Sequence, residues 1–303
     1  MNSKKFKWRW VLPQYYPLWL IFAVLYAITK WIPFSKPLIA SCIGHLLWVF
    51  SKKIKRTVLT NIKICLPQSI HEDELALAKK VFIRYGHSIL EIGQAWFASN
   101  DQINKLFIVE GENYLAEARL SNKPILLGTA HFTCLELGLA KASTLFDRYA
   151  GLYRPSKNDL IEYVMYKARI RRGCSMIPHS SIKELIKKLK QKFVAVYLPD
   201  QPELTAPTDL LNFFSNPCVT NLALSKIARI SGAIILPMCM RFDVALDRYV
   251  LSFKKAYEPS DDERYDTQKL LNIFEDYIKL YPEQYLWSYK KFKGRPLCFK
   301  QYY

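Results

Sequence analysis

The clearest chemical signal in the chain is a histidine and a carboxylate five residues apart, in Pro124-Ile-Leu-Leu-Gly-Thr-Ala-His131-Phe-Thr-Cys-Leu-Glu136. The apolar run Ile125, Leu126, Leu127 reads as a buried strand. Gly128, Thr129 and Ala130 thin out the side chains, and His131 falls where the strand ends. Beyond it, Thr133 and the pattern Leu135, Leu137, Leu139, Ala140 predict a helix with its cap. An imidazole at a strand-to-helix junction is placed to act as a base facing a cleft. Glu136 has two competing roles. Thr133-x-x-Glu136 fits a capping box, in which the carboxylate only bonds back to the helix start. Alternatively, Glu136 holds the imidazole in one tautomer and stabilises the imidazolium, as an acid does in a Ser-His-Asp triad. Five positions along one regular helix are roughly 140° apart. The second role therefore requires His131 to lie just outside the helix that carries Glu136.

Cys134 offers a different chemistry, that of an acyl-accepting thiol, but its place within an apolar helical pattern predicts a buried small residue. No second histidine or carboxylate stands at ligand spacing near His131, so neither a metal nor a cofactor is expected. The seven cysteines are scattered and never in C-x-x-C spacing, which argues against a disulfide framework and for a reducing compartment.

The elements that must position His131 follow from periodicity. Residues 71–98 read as one long helix, with Leu75, Ala78, Val81, Phe82, Tyr85, Ile89 and Ile92 near a 3.6 period. From about residue 107 the pattern alternates. Strands are predicted at 124–130, 148–153, 174–178, 193–198, 233–241 and 248–254. Helices are predicted between and after them at 135–146, 157–172, 180–191, 218–231 and 265–280. Runs such as Phe193-Val-Ala-Val-Tyr-Leu198 suit strands buried on both faces. The expected fold class is therefore α/β, a central mostly parallel sheet flanked by helices. Ligands of such sheets sit at the carboxyl ends of the strands. Those ends read His131, then Tyr153-Arg154-Pro155, then His179, then Pro199-Asp200-Gln201, then Arg241.

Charge and apolarity bound the partners. The chain has 303 residues, 44 Lys and Arg against 26 Asp and Glu, and a net charge of +18, which favours anionic partners. With no zinc-finger spacing, RNP-type motif or basic tail, nucleic acid is not expected. Half the residues are hydrophobic and 14% aromatic, which suits work against lipid. Lys4, Lys5, Lys7 and Arg9 precede an uncharged run from Trp10 to Thr29, about the length that crosses a bilayer as a helix. A cleaved signal peptide fits poorly, because the run holds Pro13 and Pro17. Leu38 to Phe50 is a weaker apolar stretch suited to a hairpin with the first. The expected division is a membrane-anchoring helical segment over 1–50 and a catalytic domain over 51–303, facing the cytoplasm.

Taken together, these residues resemble the late acyltransferases of lipid A biosynthesis, within the glycerolipid acyltransferase superfamily. His131-x4-Glu136 is similar to the H-x4-D/E motif of that superfamily. Arg56-x4-Asn61-x5-Pro67, Tyr153-Arg154-Pro155-Ser-Lys-Asn158 and Arg169-x-Arg171-x-Gly173 follow the order of the family. So do Asp200-Gln201, Phe213-Phe-x-x-Pro217 and Tyr285-Leu-Trp-Ser-Tyr-Lys-Lys-Phe292. The resemblance implies transfer of a fatty acyl group from an acyl carrier protein thioester to a hydroxyl of an anionic glycolipid, a Kdo-lipid A precursor, at the bacterial inner membrane. It implies His131 as general base and Glu136 as its partner. Arg154, Arg169, Asp200 and Gln201 are then substrate-binding candidates: the guanidinium groups for the thioester oxyanion or for phosphates, Asp200 to orient an arginine or the sugar. The basic helix at Ile182–Lys192 is a candidate dock for an acidic carrier. Phe213 and Phe214 suit an acyl groove or the core. Other readings change the acceptor to another glycolipid or a phospholipid, or make the chain a thioesterase or lipid hydrolase with water as nucleophile. A non-enzymatic basic scaffold would be indifferent to loss of His131.

Overall fold

The computed structural model describes residues 5–31, 36–66, 73–201 and 208–303. Lys4, Pro67 and the first two residues of the long helix expected at 71–98 lie outside them. Helices α1 (Tyr16–Lys30), α2 (Lys36–Phe50), α3 (Lys52–Cys65), α4 (Glu74–Phe97) and α5 (Asn100–Leu106) precede an alternating region. That region runs β1 (Phe107–Glu110), α6 (Glu112–Leu120), β2 (Ile125–Gly128), α7 (Leu135–Ser143), β3 (Tyr149–Tyr153), α8 (Asp159–Arg171), β4 (Cys174–Pro178), α9 (Ile182–Lys190) and β5 (Val194–Tyr197). A hairpin of β6 (Thr208–Phe213) and β7 (Asn216–Asn221) follows, then α10 (Ala223–Ser231), β8 (Ile234–Asp243), β9 (Arg248–Phe253) and α11 (Glu263–Leu280).

The central sheet has seven strands in the order β1-β9-β8-β2-β5-β3-β4. Every pair is parallel except β8–β9, so the expected α/β architecture with a mostly parallel sheet is what forms. β2 and β5 are buried at every residue, as strands covered on both faces must be. One predicted element is corrected. Residues 218–221 belong to β7, paired antiparallel with β6, and the helix begins only at Ala223. The β-branched Val219 and Thr220 favour the extended form there. Phe214 and Ser215, both at positive φ (49° and 59°), close the hairpin as its two central residues.

The N-terminal run also differs from a single membrane-length helix. It breaks into two short 3₁₀ turns at Trp8–Val11 and Pro13–Tyr15 before α1 begins. Prolines at the starts of the second turn and of α1 account for the break. Among the described residues no helix is long and apolar enough to cross a membrane. Instead α1 and α2 lie against α4. The α2–α4 approach is so close that a Cβ on Gly86 would come within 2.0 Å of the Ala40 carbonyl oxygen, and one on Gly44 within 2.6 Å of the Ile83 Cα. Glycine is required at both by backbone proximity. Trp10 and Phe22 join the same buried cluster as the sheet, while Trp8, Leu20, Trp31, Leu38 and Phe50 on this layer are 65–83% exposed.

His87 on α4 stacks on Phe242 of β8, with ring planes 21° apart. Burial, helped by the Arg84 charge, pulls its pKa down from 6.5 to about 4. Between those values the unfolded chain binds a proton that the folded chain refuses, so stability falls as pH drops through that window. Above pH 6.5 the effect vanishes. Chemical denaturation at pH 7 and pH 4.5 should show this loss, and His87→Phe should reduce it.

Candidate functional site

The register of two neighbouring strands builds the site. Gly128 of β2 pairs with Tyr197 of β5, and the Thr129 N–H donates to the Tyr197 carbonyl at 3.1 Å. Three residues beyond each paired position stand His131 and Asp200, which the parallel arrangement carries to the same sheet edge. His131 Nδ1 lies 2.7 Å from Asp200 Oδ1, and the His131 backbone N–H donates to Oδ2 at 3.0 Å. The Tyr285 hydroxyl also donates to Oδ2, at 3.0 Å, and Lys291 Nζ donates to the Asp200 carbonyl at 2.6 Å. The Asp200 side chain is 1% exposed and that of His131 26%. Burial works to raise the carboxyl pKa of Asp200. The His131 charge and hydrogen bond, with help from Lys291, outweigh it, and the value falls below the usual carboxylate range. An ionised carboxylate only accepts, so in the neutral ring Nδ1 carries the proton and Nε2 keeps its lone pair.

The C-terminal segment clamps this arrangement. Leu286 N–H donates to the His131 carbonyl at 2.9 Å and Thr133 N–H to the Gln284 carbonyl at 2.7 Å. Asn61 of α3 donates through Nδ2 to the carbonyls of Trp287 and Tyr289, both at 2.7 Å. Tyr285 and Lys291 are partners of Asp200 that local sequence reading does not assign. Their only sequence signal is membership of the aromatic and basic stretch Tyr285–Phe292.

Glu136 makes neither of the contacts its expected roles call for, although it lines the same cleft as His131. His131 does lie outside the helix, but α7 starts at Leu135 with Cys134 as its cap residue and no side-chain capping bond. The Glu136 carboxylate makes no hydrogen bond to His131. Arg169 of α8 grips it through two bonds, Nε to Oε1 at 3.0 Å and a terminal nitrogen to Oε2 at 2.6 Å. Trp96 Nε1 donates to Oε1 at 3.0 Å. Burial would raise the pKa of Glu136, but the Arg169 guanidinium overrides it and holds the carboxyl low. From the first turn of α7, Glu136 meets α4 and α8, while the strand next to β2 supplies the nearer carboxylate. Arg169 is thereby committed to an ion pair whose side chains are 25% and 20% exposed. That exposure lies between surface pairs, worth about 0–1 kcal/mol, and fully buried ones, where removing one partner costs about 3–5 kcal/mol. Arg169→Leu should therefore destabilise by about 2 kcal/mol in urea unfolding, and Arg169→Leu with Glu136→Leu should recover much of it.

The other candidates divide. Arg154 and Gln201 border a cleft of about 190 Å³ whose polar side is formed with His131, Tyr153, His179 and Asn221 and whose apolar side includes Leu152, Ile182 and Leu198. Arg241 is elsewhere in function: it pairs with Glu110 and Asp243 and donates to Tyr277, packed inside the fold. Arg171 and Arg172 donate to the carbonyls at the end of α4. Phe213 and Phe214 are buried among Tyr285 and Trp287 and belong to the core. Cys134 is 1% exposed, and burial keeps its thiol protonated far above its usual range, which removes it as a nucleophile.

A second cleft, about 340 Å³, meets His131 from the other side. Its walls come from Leu47 of α2, Ile54 of α3, Ile89 and Ile92 of α4, Leu135 and Leu286. The histidine thus lines both clefts. Among the described residues no group of histidine, cysteine and carboxylate side chains could hold a metal ion.

Comparison with known proteins agrees over the whole length. The chain is 28% identical over 299 residues to the lipid A biosynthesis lauroyltransferase of Escherichia coli (strain K12), covering 97% of both chains. It is 28% identical over 301 residues to the palmitoleoyltransferase of the same organism, covering 97% of this chain and 96% of that one. To the E. coli myristoyltransferase it is 21% identical over 287 residues, covering 93% and 88%. Residues 3–294 match the family described as bacterial lipid A biosynthesis acyltransferase, and the chain belongs to that family.

Proposed function

We propose that the protein transfers a fatty acyl chain from an acyl carrier protein thioester to a hydroxyl of a Kdo-lipid A precursor. The observation that carries this reading is the position of His131 between the two clefts, with Nδ1 bound to Asp200. A sugar-linked hydroxyacyl hydroxyl is far too weak an acid to attack a thioester unaided. Nε2 of His131 removes its proton as the oxygen adds to the thioester carbonyl, and buried Asp200 stabilises the imidazolium that forms. Collapse of the tetrahedral intermediate expels the thiolate, which takes the proton back from Nε2. No acyl-enzyme is needed, because the acceptor hydroxyl stands where a serine would. Arg154, exposed at the polar cleft, is the cation for the oxyanion or a substrate phosphate.

The walls suggest which substrate comes from where. The apolar cleft is lined in part by α2 and α3, and the N-terminal layer to which they belong carries the exposed Trp8, Leu20, Trp31, Leu38 and Phe50. Seated in the interfacial plane of the cytoplasmic face of the inner membrane, with exposed Lys52, Lys53 and Arg56 towards anionic headgroups, these helices would admit the lipid acceptor directly. The polar cleft is bordered by Ile182 at the start of α9, whose Lys183, Lys187 and Lys190 are exposed. An acidic carrier docked there would deliver its thioester to that side.

The test uses the purified protein with acyl carrier protein thioester, with and without Kdo-lipid A precursor. Acyl transfer that depends on the acceptor is the expected result. Equal loss of thioester without acceptor would instead make the protein a thioesterase, with water as nucleophile. Transfer to a phospholipid in preference would change the acceptor and keep the base.

A further inference from the structure

Asp200 is held at both its carboxylate and its backbone by one short stretch of chain. The Tyr285 hydroxyl donates to Oδ2, and Lys291 Nζ donates to the carbonyl. Tyr285 is 4% exposed and Lys291 3%, so both donors are set deep in the fold. Packing alone does not call for either polar group. The Tyr285 ring lies against Phe132, Phe213 and Trp287, with centroids 6.3, 5.8 and 5.0 Å away, and its backbone bridges to Phe132. Phenylalanine would fill that space equally well. Lys291 Nζ stands 4.8 Å from the Phe213 ring centroid, yet an ammonium is among the costliest groups to bury.

A carboxylate that accepts from an imidazole through one oxygen can still turn about its Cβ–Cγ bond. Two donors deny Asp200 that freedom at Oδ2, the His131 N–H and the Tyr285 hydroxyl. The first ties the carboxylate to the backbone that carries the imidazole. The second fixes its plane against the C-terminal segment, which is itself bound to residue 131 through the Leu286 N–H. A donor on Oδ2 also draws charge from Oδ1, and so sets how strongly Oδ1 accepts from Nδ1.

We propose that Tyr285 and Lys291 are positioning residues for the reaction, acting through Asp200 to hold the His131 ring with Nε2 aimed at the acceptor hydroxyl. The assignment rests on the acyl-transfer reading, and in it neither residue touches a substrate.

Tyr285→Phe is the decisive variant. Its thermal midpoint should fall by only a few degrees, about what one buried hydrogen bond is worth in a chain of this size. Its kcat for acceptor-dependent transfer should fall about tenfold, with KM unchanged for both substrates. In an Asp200→Asn background the same change should cost less than about twofold, because the residue it acts through is already lost. Independently of activity, the proton NMR resonance of the His131 Nδ1–H, assigned by its absence from His131→Ala, should move downfield as Oδ1 gains charge. Lys291→Met keeps the stem, removes the ammonium and should also lower kcat at unchanged KM. Parent kcat in either variant, or an unmoved resonance in Tyr285→Phe, would overturn the assignment of that residue. An equal fall in kcat with and without Asp200 would make Tyr285 a packing residue and overturn it too. A parent without acceptor-dependent transfer would overturn the acyl-transfer reading instead, and the resonance would still report whether Tyr285 acts on the imidazole.

Discussion

His131→Ala should lower acceptor-dependent acyl transfer by about 10²–10⁴, the contribution of a positioned general base, without unfolding the protein. The ring is partly exposed and belongs to no apolar cluster. What the substitution leaves behind is a buried Asp200 that still accepts from the residue 131 backbone N–H and from Tyr285. A modest fall in the thermal midpoint is therefore expected beside a large fall in kcat. The measurement is single-turnover transfer with saturating thioester and acceptor, paired with thermal unfolding. Retention of the parent rate would remove His131 from the chemistry and with it the proposed mechanism.

Asp200→Asn should cost on the order of 10³–10⁴ in kcat, by reversing the tautomer of His131. Oδ2 of Asp200 receives two donors, the His131 backbone N–H and the Tyr285 hydroxyl. An amide at this position must keep its oxygen there and turn its NH₂ towards Nδ1. Nδ1 can then only accept, the ring proton moves to Nε2, and the nitrogen facing the substrates is no longer a base. Burial also pushes the Tyr285 hydroxyl well above its usual pKa, next to the Asp200 charge, so Tyr285 stays a donor throughout the working range. Glu136→Gln makes the informative contrast. Its carbonyl oxygen still accepts from Arg169, and the partners of Glu136, Arg169 and Trp96 rather than the imidazole, predict a loss mainly in stability. If Glu136→Gln loses far more kcat than Asp200→Asn, then Glu136 acts on His131 in a geometry other than this one, and Asp200 is not the orienting acid.

Much of this arrangement can be read from local pattern. The strand through Ile125, Leu126 and Leu127, the position of His131 beyond its end and the helix beginning near Leu135 all follow from side-chain periodicity over a dozen residues. The gathering of His131, Arg154 and Gln201 at one edge follows from a rule about parallel sheets that needs only the strand ends. Where local pattern misled, a longer-range interaction decided. The run after Pro217 was free to be helix until β6 offered it a partner. The uncharged N-terminal run has the composition of a membrane-length helix, and its prolines with the packing of α1 against α4 shorten it. Arg241 stands near a strand end like the others, but β8 runs on past the level of the site, and Glu110 on the sheet edge takes up its charge.

The sequence by itself located the proposed base: an imidazole at the end of a buried strand. Only the tertiary structure decided which carboxylate serves that base. Asp200 is 69 residues from His131, and the two meet because β5 lies beside β2 in the register Gly128↔Tyr197. Glu136 is five residues away and turns to Arg169 instead. Periodicity records which face of its own element a side chain occupies, but it carries no information on which strand will become the neighbour. That choice is made by the packing of crossover helices across the whole domain, and here it sets Asp200 rather than Glu136 against the imidazole.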